Sequence, residues 1–166
     1  MKRGLFLALA LTLALTGCTG KPSAAKTPEE YTQSYQEAIT AAQGDGSSAF
    51  ASIVTSPDDD IAQLVFPMLG VTAEDMSAYA LSVSPVNVQA YAIALAMPAE
   101  GKEDVVRKGF EAFVENQKQS FENYLEDQYT VAKAARVETL EDGTVVLVMA
   151  EGQDQLMDSL KKSLME

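Results

Sequence analysis

Asn87-Val88-Gln89-Ala90-Tyr91-Ala92-Ile93-Ala94-Leu95-Ala96-Met97 is the stretch on which the fold turns. Asn87, Gln89, Tyr91, Ile93, Leu95 and Met97 alternate with Val88 and four alanines. Alanine favours helices and is depleted in strands. Strict alternation, however, has a period of two and does not fit 3.6 residues per turn. The stretch is therefore predicted to be a strand with one small face, against which a helix can pack closely. Just upstream, from Met76, Tyr79, Leu81 and Val83 alternate with Ala80 and Ser82, and Pro85 separates two strands.

Downstream, Pro98 to Lys102 reads as a turn and Lys102 to about Asp127 as the longest helix. Its apolar stripe is Val106, Phe110, Phe113, Val114, Phe121, Tyr124 and Leu125, with Gln117 as a polar gap. Gln128 to Thr130 leads into a hairpin of Ala134–Leu140 and Thr144–Ala150, turning at Asp142-Gly143. Val145–Met149 is apolar on both faces, which predicts a central or covered strand. Glu151 to Leu164 is a final amphipathic helix with Leu156, Met157, Leu160 and Leu164 on one side.

Towards the N-terminus, Thr27-Pro28-Glu29-Glu30 combines an N-cap, a first-turn proline and a glutamate at N3. It opens a helix to about Gln43, with Tyr31, Tyr35, Ala38, Ile39 and Ala42 on one face, ended by Gly44–Ser48. Ala49 to Thr55 fits either a short helix or an extended segment. Ser56-Pro57-Asp58-Asp59 repeats the cap-and-proline pattern ahead of Ile61, Leu64, Val65 and Met68, and Pro67 distorts or ends that helix. Thr72 to Asp75 caps another short turn. The order α, α, β, β, α, β, β, α predicts an α+β domain with a mostly antiparallel sheet of about four strands. The sheet packs with the long amphipathic helix and the C-terminal helix, preceded by N-terminal helices. Two ββα units, about 76–127 and 134–164, suggest a pseudo-symmetric sandwich.

The first eighteen residues carry a different message. Lys2 and Arg3 precede an apolar run from Gly4 to Leu15, which closes on Leu15-Thr16-Gly17-Cys18. Charged n-region, short h-region and small residues at the cut make a secretory signal peptide. The ending is similar to the bacterial lipobox, in which the cysteine is lipidated and becomes the new N-terminus. The apolar run is shorter than the roughly 20 residues that span a bilayer. The expected organisation is a lipoprotein signal peptide over 1–17, lipidated Cys18 with a flexible tether over 18–27, and one α+β domain over 28–166. Loss of Lys2 and Arg3 leaves 10 basic and 24 acidic residues, a net charge of −14. That balance excludes nucleic acid as a partner, because it requires clustered Lys and Arg. The expected partners are the membrane, through lipid on Cys18, and an envelope protein or small-molecule ligand. The expected location is the extracytoplasmic face of the cell membrane.

From Glu74 to about Leu164 the chain resembles the bacterial lipoproteins of domain-of-unknown-function family 4358. The likeness lies in Ser84-Pro85-Val86-Asn87-Val88-Gln89-Ala90, in Gln117-Lys118-Gln119-Ser120-Phe121-Glu122-Asn123-Tyr124-Leu125, and in Asp127-Gln128-Tyr129 leading to Ala134 and the Val145–Met149 strand. Two departures stand out: the family commonly has an acidic residue where Ala92 stands and a basic one where Phe113 stands. The resemblance implies a lipoprotein context. It brings no activity, so no functional residue is carried over.

The chain has no histidine, which removes Ser-His-Asp triads, imidazole metal sites and the commonest general base near neutrality. Its one cysteine is Cys18, so thiol catalysis, Cys/His zinc sites and an internal disulfide are excluded. Carboxylate, Ser–Lys and Tyr chemistry remain. Ser159-Leu160-Lys161-Lys162 has the spacing of penicillin-recognising enzymes without their companion motifs, and reads as a solvated helix face. Asp58-Asp59-Asp60 lacks the pattern of a calcium loop and reads as acids favoured by a helix N-terminus. Glu74-Asp75 and Glu126-Asp127 are adjacent pairs whose side chains diverge. Tyr79, Tyr91, Phe110, Phe113, Phe121 and Tyr124 fall on apolar faces and read as core, with a ligand groove lined by some of them as the competing reading. No Gly-rich phosphate loop is present. No catalytic residue, metal ligand or cofactor is assigned. The expectation is a lipid-anchored, non-catalytic binding or interaction module, with a carboxylate-dependent hydrolase of cell-wall or sugar substrates as the alternative.

Overall fold

The computed structural model describes residues 26–47 and 51–165. The expected leader, Cys18 and most of the expected tether lie outside them. Helix α1 (Pro28–Ser47) opens with the expected capping box: Glu30 N–H donates to Thr27 Oγ1 at 3.3 Å, and Thr27 N–H donates to Glu30 Oε2 at 2.7 Å. The helix continues through Gly44 to Ser47, beyond the end expected at Gln43.

The remaining elements are β1 (Ile53–Val54), α2 (Ala62–Leu69), a 3₁₀ turn (Ala73–Asp75), β2 (Met76–Val83), β3 (Ala92–Pro98), α3 (Glu103–Phe121), α4 (Glu126–Lys133), β4 (Arg136–Thr139), β5 (Val145–Met149) and α5 (Gln153–Met165). The five strands form one antiparallel sheet in the order β1-β2-β3-β5-β4. This is the expected α+β class, with one strand more than the four expected: within the ambiguous Ala49–Thr55 segment, Ile53–Val54 is an edge strand on β2.

Register explains why an alanine-rich strand is stable in the middle of the sheet. Ala92, Ala94 and Ala96 lie between Val83, Leu81 and Tyr79 of β2 on one side and Met149, Leu147 and Val145 of β5 on the other. On the opposite face the order inverts, with Ile93 and Leu95 flanked by Ser82 and Ala80 of β2 and by Val148 and Val146 of β5. Each alanine of β3 thus lies between larger side chains on one face, and on the other Ile93 and Leu95 stand beside small residues of β2 and valines of β5. The alanine face receives Val106, Phe110, Phe113 and Phe121 of α3, together with residues of α2 and α4. The other face is covered by Tyr35, Ala38 and Ile39 of α1 and Met157 and Leu160 of α5.

Several boundaries differ from the sequence expectation for identifiable reasons. The strand pattern from Asn87 begins as a strand only at Ala92. Residues 85–89 form an exposed loop, pinned where Ser84 N–H donates to Tyr91 O at 3.0 Å. The helix expected over 102–127 is two helices, because Leu125 adopts φ −137° and ψ 90°. Tyr124 is consequently 74% exposed and not part of the core. Helix α2 starts at Ala62, not after Ser56. Asp59 Oδ2 instead accepts from Thr55 N–H and Ser56 N–H at 2.7 and 2.9 Å, so the acidic triplet closes a turn ahead of the helix. Pro67 sits inside α2, which ends at Gly70 (φ +66°), where Gly70 and Val71 N–H donate to Pro67 and Phe66 carbonyls.

The expected pseudo-symmetry is also limited. The two hairpins are arranged symmetrically about β3 and β5, but α3 and α5 cover opposite faces. A twofold axis through an antiparallel strand pair would place both helices on the same face.

Candidate binding cleft

Helix α1 carries Gln43 on the same stripe as Tyr35 and Ile39, one turn further on. At that position the helix reaches the end of the sheet, where β2 presents Ser82 and the start of β3 presents Tyr91. Gln43 Nε2 lies 2.9 Å from Ser82 Oγ, 3.0 Å from Tyr91 Oη and 3.4 Å from Ala51 O. Ser82 Oγ donates in turn to Ala51 O at 2.9 Å. From the other side, Gln128 near the start of α4 accepts from Ala90 N–H through Oε1 at 2.8 Å. Its Nε2 donates to Asp127 Oδ2 at 3.0 Å, and that bond holds the Asp127 carboxyl below its ordinary range.

Gln43, Ala90, Tyr91 and Gln128 border a cleft of about 380 Å³, within the roughly 300–1,000 Å³ of small-molecule sites. Gln43, Gln89 and Gln128 contribute amides, Tyr91 a phenol and Glu151 a carboxylate; the apolar wall includes Ile93, Val131 and Leu156. No Lys or Arg borders it among the described residues. The Ser84–Ala90 and Asp127–Tyr129 stretches, which carry the family resemblance, meet here through the Ala90–Gln128 hydrogen bond. Of the aromatics considered from sequence, Tyr91 reaches this cleft. Phe110, Phe113 and Phe121 are buried under α3. Ala92 and Phe113 share that apolar core cluster.

The other sequence candidates are dispersed. Cys18 lies outside the described residues. Ser159 and Lys162 border a separate hollow between α1 and α5, and no hydrogen bond joins them. Lys161 pairs with Glu138, and that hydrogen bond lowers the Glu138 pKa. Glu74 is exposed while Asp75 is buried, so this pair diverges as expected. Asp75 is held below the usual carboxylate range first by Lys102, at 2.9 Å, and then by Thr72. Among the described residues no group of three His, Cys, Asp or Glu side chains is placed to hold a metal ion. No described helix is long and apolar enough to cross a membrane.

The cleft glutamines were not singled out in the sequence. Gln43 was visible as a polar residue on a buried helical stripe. Gln89 and Gln128 lie in the stretches that carry the family resemblance, but nothing in their spacing predicts that they meet, because the fold alone brings them together.

No curated protein and no solved structure matches the chain. Residues 56–150 match the family described as domain of unknown function (DUF4358). The match runs from the turn before α2 to the end of β5, leaving out α1 and α5, which cover the second face of the sheet. It takes in more than half of the sequence, and the chain belongs to that family.

Proposed function

We propose that the chain is a lipid-anchored protein of the extracytoplasmic membrane face whose domain holds a ligand in the amide-bordered cleft without turning it over. The Lys2-Arg3 start, the apolar run and the Leu15-Thr16-Gly17-Cys18 ending support the anchor. One observation carries the choice of binding over hydrolysis. Among the described residues the cleft combines three amides and a phenol with a single carboxylate, Glu151. A glycosidase of the usual kind needs two carboxyls facing each other, one kept protonated.

The reading is tested in two parts. Cys18→Ala should abolish metabolic labelling with a fatty acid; undiminished label would remove the anchor. The full-length chain should give no sustained turnover of model glycosides or esters. Turnover abolished by Glu151→Gln would replace binding with hydrolysis.

A further inference from the structure

We infer that the cleft selects an uncharged saccharide. This rests on the binding reading above and narrows it to a ligand class. Three features argue for it. The first is charge. An anionic ligand would find Glu151 on the wall and Asp127 beside Gln128, with no Lys or Arg on the border among the described residues. Phosphates, carboxylates and sulfated sugars therefore lack a counter-charge.

The second feature is the kind of polar group. A carboxamide offers donors and an acceptor on one planar end, a phenol does both, and a carboxylate accepts. Such a set suits groups that donate and accept at once, as vicinal hydroxyls do. The amides also stand on braced supports. Gln43 Nε2 is engaged with Ser82 and Tyr91, and Gln128 with the Ala90 backbone and Asp127, so these two amides hold the wall in place and the Gln89 amide, the Tyr91 hydroxyl and the Glu151 carboxylate face the ligand. The apolar patch of Ile93, Val131 and Leu156 gives a surface for the C–H face of a sugar ring.

The third feature is position. The cleft opens at the strand ends, between the β2–β3 loop and the β5–α5 turn. The free edges of the sheet belong to β1 and β4. An extended peptide seeking strand pairing would go to those edges and not to this cleft.

The test is an NMR titration of side-chain amides in the purified full-length chain. The probes are maltotriose and chitotriose, sialyllactose as an anionic sugar, and trialanine. Saturable shifts of Gln89 and Gln128 amides with a neutral trisaccharide, absent with sialyllactose, are expected. Gln89→Ala should weaken that binding about tenfold while leaving the thermal midpoint unchanged, since Gln89 is exposed. Glu151→Ala should weaken it too. Shifts with trialanine alone would overturn the saccharide class and leave the binding reading standing. Equal response to sialyllactose would overturn the charge argument. No response to any probe would overturn the inference, whereas cleavage of the trisaccharide would overturn the binding reading itself.

Discussion

The two faces of the sheet are made by the same strands and are finished differently. Under α3 the buried surface is apolar apart from the Tyr79 phenol: alanines of β3, flanked by Tyr79, Leu81, Leu147 and Met149 and capped by three phenylalanines. Under α1 and α5 the sheet keeps two fully buried hydroxyls, Ser82 and Thr144, each bonded to a side chain of α1. An apolar interface stabilises without fixing much detail, whereas a satisfied buried polar network fixes one arrangement. The candidate cleft opens where the second kind of face reaches the sheet end. The difference suggests a division of labour, in which one face supplies stability and the other positions polar groups for a ligand.

The strongest way to break this comparison is at Phe121, which is 1% exposed on the α3 face. Phe121→Ala should cost about 3–5 kcal/mol through the cavity it leaves. A denaturant titration with unchanged slope and a lowered midpoint is expected; an unmoved midpoint would mean that the α3 face is not the main source of stability.

The polar face is tested at Tyr35, whose hydroxyl lies 2.7 Å from Thr144 Oγ1 and whose burial pushes its phenol pKa well up. Tyr35→Phe strands the Thr144 hydroxyl and should cost about 1–3 kcal/mol. Adding Thr144→Val removes the stranded group and should recover part of that loss. A double variant destabilised by the sum of the two single variants, Tyr35→Phe and Thr144→Val, would show that the pair is not coupled.

A smaller effect is expected at Gly109, the point where α3 meets the end of α2. A Cβ there would stand 2.5 Å from Leu69 O, a backbone atom that cannot swing away. Gly109→Ala should therefore destabilise by about 1–3 kcal/mol from overpacking, offset by about 1 kcal/mol of helix propensity. A stabilised variant would mean that α2 rests on α3 more loosely than this approach implies.

The α3 face was largely legible in the sequence and the polar face was not. Alternation marked β2 and most of β3, the doubly apolar run Val145–Met149 marked β5, and helical spacing marked Val106, Phe110, Phe113 and Phe121, because burying apolar area leaves its pattern on the chain. The Thr27–Glu30 box was legible for a similar reason: a capping box is local in sequence. Contacts between distant residues leave no period. Tyr35 to Thr144, Gln43 to Tyr91 and Ala90 to Gln128 each depend on the tertiary fold. The break at Leu125 was missed because Tyr124 and Leu125 continue the apolar spacing of α3 while the backbone leaves the helix. Asp59 was misread for the opposite reason. Its sequence fits a helix start, but its carboxylate closes the turn before one.

The smallest expected effect asks whether the apolar face also depends on a polar lock at its rim. Asp75 ends the 3₁₀ turn before β2, bonds Lys102 at the start of α3, and accepts from Ala99 N–H through its carbonyl at 2.9 Å. Lys102 first, and then Thr72, lower its pKa in the folded state. A carboxyl whose folded pKa lies below its unfolded value stabilises the protein above the unfolded value, near 3.9. That contribution is lost as pH falls through the folded value. Stability measured by denaturant titration should therefore decline below about pH 4, and Asp75→Asn should make the decline shallower. Asp104, Glu115, Asp127 and Glu138 are lowered as well, so the variant should keep part of the acid dependence. Lys102→Met separates the two causes, because it removes the cation and leaves the Thr72 donors in place. Its acid dependence should fall between wild type and Asp75→Asn. Identical profiles for all three proteins would show that the rim contributes nothing to the α3 face, and that the apolar contacts there hold the fold unaided.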